Sequence, residues 1–333
     1  MVKRTAILFL ALGLTPSVPV YSGNGTDAMP FMKVDTGARA AGMGGAFAAV
    51  ADDASSIFHN PAAMTLADRK GIMFSHAEWL EGIRNECLSY VHNSGTDWTF
   101  GAGASMLFSG SMKKYDRNGG EAGNFTENEG FISLGAAKKM GDRLSGGLAV
   151  KTIYQKADEE SDSAYAADAG LLYHYDKWRF VLGMENIGTK LKLYRKKFDL
   201  PAGYKTALAW RAFDPAWITI QLINRPIGGL SVAAGAEYKL AIRKTDSVYA
   251  RAGYMSGTGA AAGSGIALGL GIGNASFNLD YAFTPFGDLG NVHRLSLGAK
   301  FGEKTKTLRA REANLTPYKR YTTKGQDWQD LKK

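Results

Sequence analysis

Apolar and polar residues alternate one by one along most of the chain after Lys70. Trp98, Phe100, Ala102, Ala104, Met106 and Phe108 fall on one face of a segment, and Thr99, Gly101, Gly103 and Ser105 fall on the other. Phe277, Leu279, Tyr281 and Phe283 alternate in the same way with Ser276, Asn278 and Asp280, as His293, Leu295, Leu297, Ala299 and Phe301 do with Arg294, Ser296, Gly298 and Lys300. A period of two with one apolar and one polar or tiny face predicts half-buried β-strands. About 14 such segments follow one another: 71–78, 84–92, 97–108, 129–139, 143–155, 165–175, 178–186, 203–212, 215–222, 230–240, 246–255, 263–272, 275–283 and 291–301. Their mean length is about 10 residues, which a tilted strand needs to cross a bilayer.

The connections sort by length. Every second one is brief: Asn93–Thr96, Met140–Asp142, Asp176-Lys177, Phe213-Asp214, Ala241–Thr245 and Gly273-Asn274. Among the others Ser109–Asn128, Lys156–Ala164 and Ile187–Ala202 are long. Short turns at one end and long loops at the other predict an all-β, transmembrane, antiparallel up-and-down β-barrel of about 14 strands. With hydrocarbon outside, the apolar face points out. Lys151, Glu237, Lys239, Arg251, Asp280, Arg294 and Lys300 then point inward, as a charge-paired, solvated interior. One Lys or Arg on the lipid face at mid-bilayer would cost about 2–4 kcal/mol.

The stretch Asp35 to Met64, DTGARAAGMGGAFAAVADDASSIFHNPAAM, breaks the alternation. It is too small and flexible for an ordinary core helix and too apolar for a linker, so it is expected to plug the barrel. Asp52-Asp53 could be a paired carboxylate site, but an Asp here more simply caps a short helix through Ile57 and Phe58. Asn60 before Pro61 has the form of an N-cap followed by a proline at the first helical position. The expected organisation is a signal peptide over 1–22, an N-terminal hatch with short helices over 23–70, the barrel over 71–301 and a basic periplasmic tail over 302–333. The signal has Lys3 and Arg4, an apolar Thr5–Leu14 core and a small residue, Ser22, before Gly23. Such a signal implies export, and with the barrel pattern the mature chain is expected in the bacterial outer membrane.

Composition changes the picture little. The net charge of +9 is partly local, because residues 302–333 carry nine Lys/Arg against four Asp/Glu. A basic tail gives no case for a nucleic-acid partner. Cys87 is the only cysteine, and the five histidines (His59, His76, His92, His174 and His293) show no ligand spacing. No nucleophile elbow or phosphate loop occurs. Gly269-Leu270-Gly271-Ile272-Gly273 lies in strand context and reads as the tiny face of a strand rather than a dinucleotide fingerprint. No metal, no cofactor and no enzymatic activity are expected.

Asp52-Asp53-Ala54-Ser55 followed by Asn60-Pro61-Ala62 resembles the N-terminal signature of FadL-type outer-membrane transporters. A fuller set resembles the PorV/PorQ family, which shares that fold and includes components of the type IX secretion system. The set is Gly37-Ala38-Arg39-Ala40, Gly42 to Phe47, Glu78-Trp79-Leu80, Gly82-Ile83-Arg84, Glu185-Asn186-Ile187-Gly188, Pro285-Phe286-Gly287-Asp288-Leu289-Gly290 and His293-Arg294. It covers about Asp35 to Phe301; the tail lies outside it. The resemblance implies a hatch motif at Asp52, Asp53, Asn60, Pro61 and Ala62. It also implies family-motif loops at Glu78, Trp79, Gly82, Arg84, Glu185, Asn186, Pro285, Phe286, Gly287, Asp288, His293 and Arg294. The function it favours is a secretion scaffold or shuttle, with outer-membrane lipid around it and translocon or cargo proteins as partners. The alternative is a FadL-like channel, gated by the hatch, for long-chain fatty acids or other hydrophobic ligands.

Overall fold

In a computed structural model the described residues are 27–193, 195–243, 245–256, 265–287 and 290–303. The expected signal peptide, Asp288 and all but the first two residues of the expected tail lie outside them. The strands are β1 (Lys70–Glu78), β2 (Arg84–Asn93), β3 (Trp98–Phe108), β4 (Met112–Tyr115), β5 (Glu121–Phe125), β6 (Glu127–Lys139), β7 (Leu144–Ala157), β8 (Glu160–Tyr175) and β9 (Trp178–Gly188). They continue as β10 (Leu191–Leu193), β11 (Lys196–Phe198), β12 (Gly203–Phe213), β13 (Ala216–Arg225), β14 (Gly229–Ala241), β15 (Ser247–Met255), β16 (Ile266–Gly273), β17 (Phe277–Pro285) and β18 (Asn291–Phe301).

Fourteen of these form one closed barrel of antiparallel neighbours, sealed where β1 pairs with β18 from Lys70 opposite Phe301 to Glu78 opposite His293. The remaining four make two hairpins, β4 with β5 and β10 with β11, inside the long connections. One long loop is corrected. Residues Lys156–Ala164 do not form a loop: β7 and β8 pair as far as Ala157 opposite Glu160, and only Asp158-Glu159 turn. Polar strand extensions beyond the apolar belt look like loop in sequence, because both of their faces meet water.

The pleat divides the wall as hydrocarbon outside would require. Leu148 is 65% exposed, while Lys151, three residues on and on the opposite face, is 6% exposed. Ile132, Leu134, Val150, Ile220, Leu268, Leu270 and Leu297 also point outward. Trp98 stacks with Phe100 and Trp178 with Trp210 near the short-turn end, where Phe213, Phe277 and Phe301 are exposed too. Glu237, Arg251, Asp280 and Arg294 are buried inside. Lys239 and Lys300 share the inward register but sit at the open short-turn rim. Lys239 is exposed over Tyr249, and half-buried Lys300 pairs with Asp68 at 3.4 Å.

Residues 27–69 fill the lumen. Only short helices form there, Ala38–Gly42 and Ser56–His59, with 3-10 turns at Pro30–Lys33 and Pro61–Leu66. A chain so poor in regular structure leaves backbone groups unpaired, and a buried one must find another partner. The wall supplies them. Gln221 donates to the Gly45 carbonyl at 2.8 Å and accepts from the Ala48 N–H at 3.1 Å. Thr219 donates to Ala46 O, Lys205 to His59 O and Asn93 to Ala67 O at 2.5, 2.9 and 2.7 Å.

Candidate functional site

Small residues let the hatch backbone lie against the wall. A Cβ added at Gly147 would stand 2.4 Å from the Ala62 nitrogen and from the Pro61 carbonyl carbon, and one at Gly170 would stand 2.1 Å from Asn60 Oδ1. Gly42 and Gly269 also lie against each other, a Cβ on either standing 2.8 or 3.0 Å from the other's Cα, which accounts for Gly269 in the glycine run of β16. Asn60 is the N-cap of the Pro61–Leu66 turn, and its side chain accepts from the Ala62 N–H at 3.1 Å. Thr65 at the end of this turn donates to Ser145 Oγ at 2.9 Å.

The two aspartates divide their roles, and the one at the helix start is Asp53. Asp53 Oδ1 accepts from the Ser55 N–H and hydroxyl at 2.9 and 2.5 Å, forming the turn ahead of Ser56–His59, whose N-cap position is Ser55. Asp52 instead takes Arg39 Nη1 at 2.6 Å. Arg39 also reaches Asp53 at 3.0 Å and grips Glu237 with Nε and Nη2, both at 2.8 Å. Glu237 in turn takes Arg251 at 2.7 Å, and Arg251 reaches Asp280 at 2.8 Å. Six charges of the hatch and three strands thus form a single clamp. Burial works to raise the Asp52 carboxyl, but Arg39, with Lys300 and Arg179 behind it, holds it well below the ordinary carboxylate range. Burial pushes the His59 imidazole below its ordinary pKa against the pull of Asp35.

Above the hatch, toward the long loops, lies a cavity of about 360 Å³. Its polar side is organised by a bulge. Between Ala167 and Ala169 the register of β8 against β9 shifts, leaving Glu185 and Asn186 opposite Asp168. Asn186 takes φ 57°, a left-handed conformation that asparagine tolerates better than most residues. Both side chains consequently reach the lumen. Asn186 meets Lys151 at 2.7 Å, Lys151 meets Asp168 at 2.7 Å, and Glu185 pairs with Lys205 and Arg225 at 2.7 and 2.8 Å. On the apolar side Trp79 packs on Phe286 at 5.3 Å, and Phe131 packs between Phe31 and Phe58 at 5.9 and 5.8 Å.

The expected motif residues therefore divide. Glu185, Asn186, Trp79, Pro285, Phe286 and Arg294 line one cavity, although they come from distant segments. Glu78, Arg84, Glu185, Asn186, His293 and Arg294 belong to strands, as the alternation places them, and so does Pro285; the motif label of loops is corrected for these seven. Gly82 at φ 72° and Gly287 at φ 61° shape the turns that carry Trp79 and Phe286. Arg84 is exposed at the start of β2, Glu78 is open to solvent, and His293 faces outward to Tyr281 at 2.7 Å. Sequence reasoning missed Arg39, Lys205 and Arg225 as site residues. The available signal for Arg39 was a lone charge in a run of Ala and Gly.

Comparison with known proteins supports the same architecture. Residues 21–178 match the model of an uncharacterised protein family, UPF0164. Two UPF0164 proteins of Treponema pallidum are 34% and 30% identical over 129 residues, 34% of this chain. The chain spans about a third of the length of these curated relatives, 32% and 39%. Among solved structures, the toluene transporter TodX of P. putida aligns with TM-score 0.58 and 11% identity over 80% of this chain and 99% of its own. The Ralstonia pickettii toluene transporter TbuX gives 0.57 and 11% over 80% and 98%, and a Pseudomonas aeruginosa FadL homologue 0.53 and 12% over the same shares. The fold is FadL-like. None of these likenesses reaches the PorV/PorQ family, so the secretion role rests on the motifs alone.

Proposed function

We propose that this chain is a non-enzymatic outer-membrane channel for hydrophobic small molecules, closed by its N-terminal hatch. The observation that carries the reading is the cavity above the hatch. It has an aromatic side, a few fixed polar groups and a size within the roughly 300–1,000 Å³ of ligand pockets. An apolar outer wall with an aromatic band suits a bilayer, and the FadL-like fold suits a channel. Below the cavity the hatch fills the lumen, so passage requires that the hatch move or rearrange. Asp52, Asp53, Asn60, Pro61 and Ala62 act in this reading through hatch position, not chemistry. A secretion scaffold, which binds translocon or cargo proteins and moves no small molecule, has no use for such a cavity, which makes it the weaker reading.

The experiment compares uptake of a radiolabelled apolar compound by cells with and without the chain in their outer membrane. Uptake is expected to rise with the chain and to change when Asn60–Ala62 are deleted. Unchanged uptake, with a protein partner co-purifying in stoichiometric amount, would overturn the proposal in favour of a scaffold.

A further inference from the structure

Arg294 stands apart from the other cations of the cavity. Lys151, Lys205 and Arg225 each meet a carboxylate at 2.7 or 2.8 Å. Arg294 is only 4% exposed, yet its Nε and Nη2 make no hydrogen bond. Buried guanidinium donors without partners are rare enough to require an explanation. The opposing charge that acts on the group is Asp35 of the hatch, which lines the same cavity.

The surroundings limit what could complete this site. The guanidinium lies 5.9 Å from the Trp79 ring centroid, within cation–π range, and its planar donors form a rigid fork. A carboxylate matches such a fork with two parallel hydrogen bonds. Trp79 with Phe286, and Phe31 and Phe58 around Phe131, put five rings on one cavity. Its volume of about 360 Å³ is at the small end for ligand pockets. We propose that the cavity selects a compact aromatic carboxylate, its head paired with the Arg294 guanidinium and its ring among these aromatic side chains. The proposal deepens the channel reading, on which it rests, by naming the ligand class. Asp35 opposes the same anion and sets an upper limit on its affinity.

Calorimetry on the full chain in lipid nanodiscs tests this with three probes: 2-naphthoate, the uncharged 2-naphthylmethanol, and octanoate, which has the charge without the ring. Naphthoate is expected to bind tightest. Arg294→Gln should weaken it about tenfold or more while leaving the alcohol unchanged. Asp35→Asn should tighten it. The proposal is overturned if the alcohol or octanoate binds as tightly as naphthoate, or if Arg294→Gln leaves naphthoate affinity unchanged. Should Arg294→Gln fail to show the heat-modifiable gel mobility of a folded barrel, Asp35→Asn decides, and no tightening overturns the proposal. Binding as expected without uptake by cells would sink the channel reading and leave the site standing; uptake of an apolar compound without Arg294-dependent naphthoate binding would do the reverse.

Discussion

Arg39→Ala is expected to free the hatch while the barrel stays closed. The arginine is the hatch's contribution to the clamp, with its side chain 16% exposed and that of Glu237 5% exposed. Removing it leaves Asp52 and Asp53 without their cation, whereas Glu237 keeps Arg251. Breaking one side of a buried ion-pair network costs about 3–5 kcal/mol. The strand ladders do not pass through Arg39, so the loss should fall on hatch seating. Limited proteolysis in detergent should cut between residues 38 and 66 in the variant and spare them in the parent, with unchanged heat-modifiable mobility. Arg39→Lys, which keeps the charge and loses the two-pronged grip on Glu237, should lie between. Equal protection of the hatch in all three proteins would show that the clamp does not hold it.

Gly147→Ala is expected to have the second largest effect. Its new methyl would stand 2.4 Å from backbone atoms of Pro61 and Ala62, which have little room to move because the following Thr65 is tied to Ser145. Overpacking of this kind costs about 1–3 kcal/mol and shifts backbone. The neighbouring Gly146 is the control. It lies on the other face of β7, and a methyl there would meet the flexible end of Met140 at 2.8 Å. Urea titration followed by gel mobility should show Gly147→Ala unfolding earlier and Gly146→Ala close to the parent. The same loss in both variants would mean that β7, not the hatch contact, dislikes the substitution.

The barrel was legible because its solvent is unusual. Hydrocarbon outside and hatch inside impose alternation on every strand, so Leu148 and Lys151 announce their faces from sequence alone. The Lys156–Ala164 stretch was misread where that constraint stops, above the apolar belt. The hatch could be recognised as a plug from its small residues, but not its seating. Asn60 meets Gly170 and Gly42 meets Gly269 across more than 100 residues of chain, and no local pattern encodes such a pairing. Glu185-Asn186 read as the plain end of a strand carrying a family motif. Only the register shift between β8 and β9 turns both side chains into the lumen. Which of Asp52 and Asp53 starts the helix stayed open for a similar reason: the partner of Asp52, Arg39, lies 13 positions earlier, on a separate helix of the hatch.

Hatch-controlled passage is the central claim, and a reversible lock tests it most directly. Thr65 Oγ1 and Ser145 Oγ are 2.9 Å apart, joining the hatch to β7. Thr65→Cys with Ser145→Cys, in a Cys87→Ala background, should form a disulfide there under oxidation. Uptake of an apolar compound by cells carrying this variant should fall on oxidation and return with reductant. Uptake indifferent to the lock would contradict the account, because passage would then need no movement of the hatch against this wall.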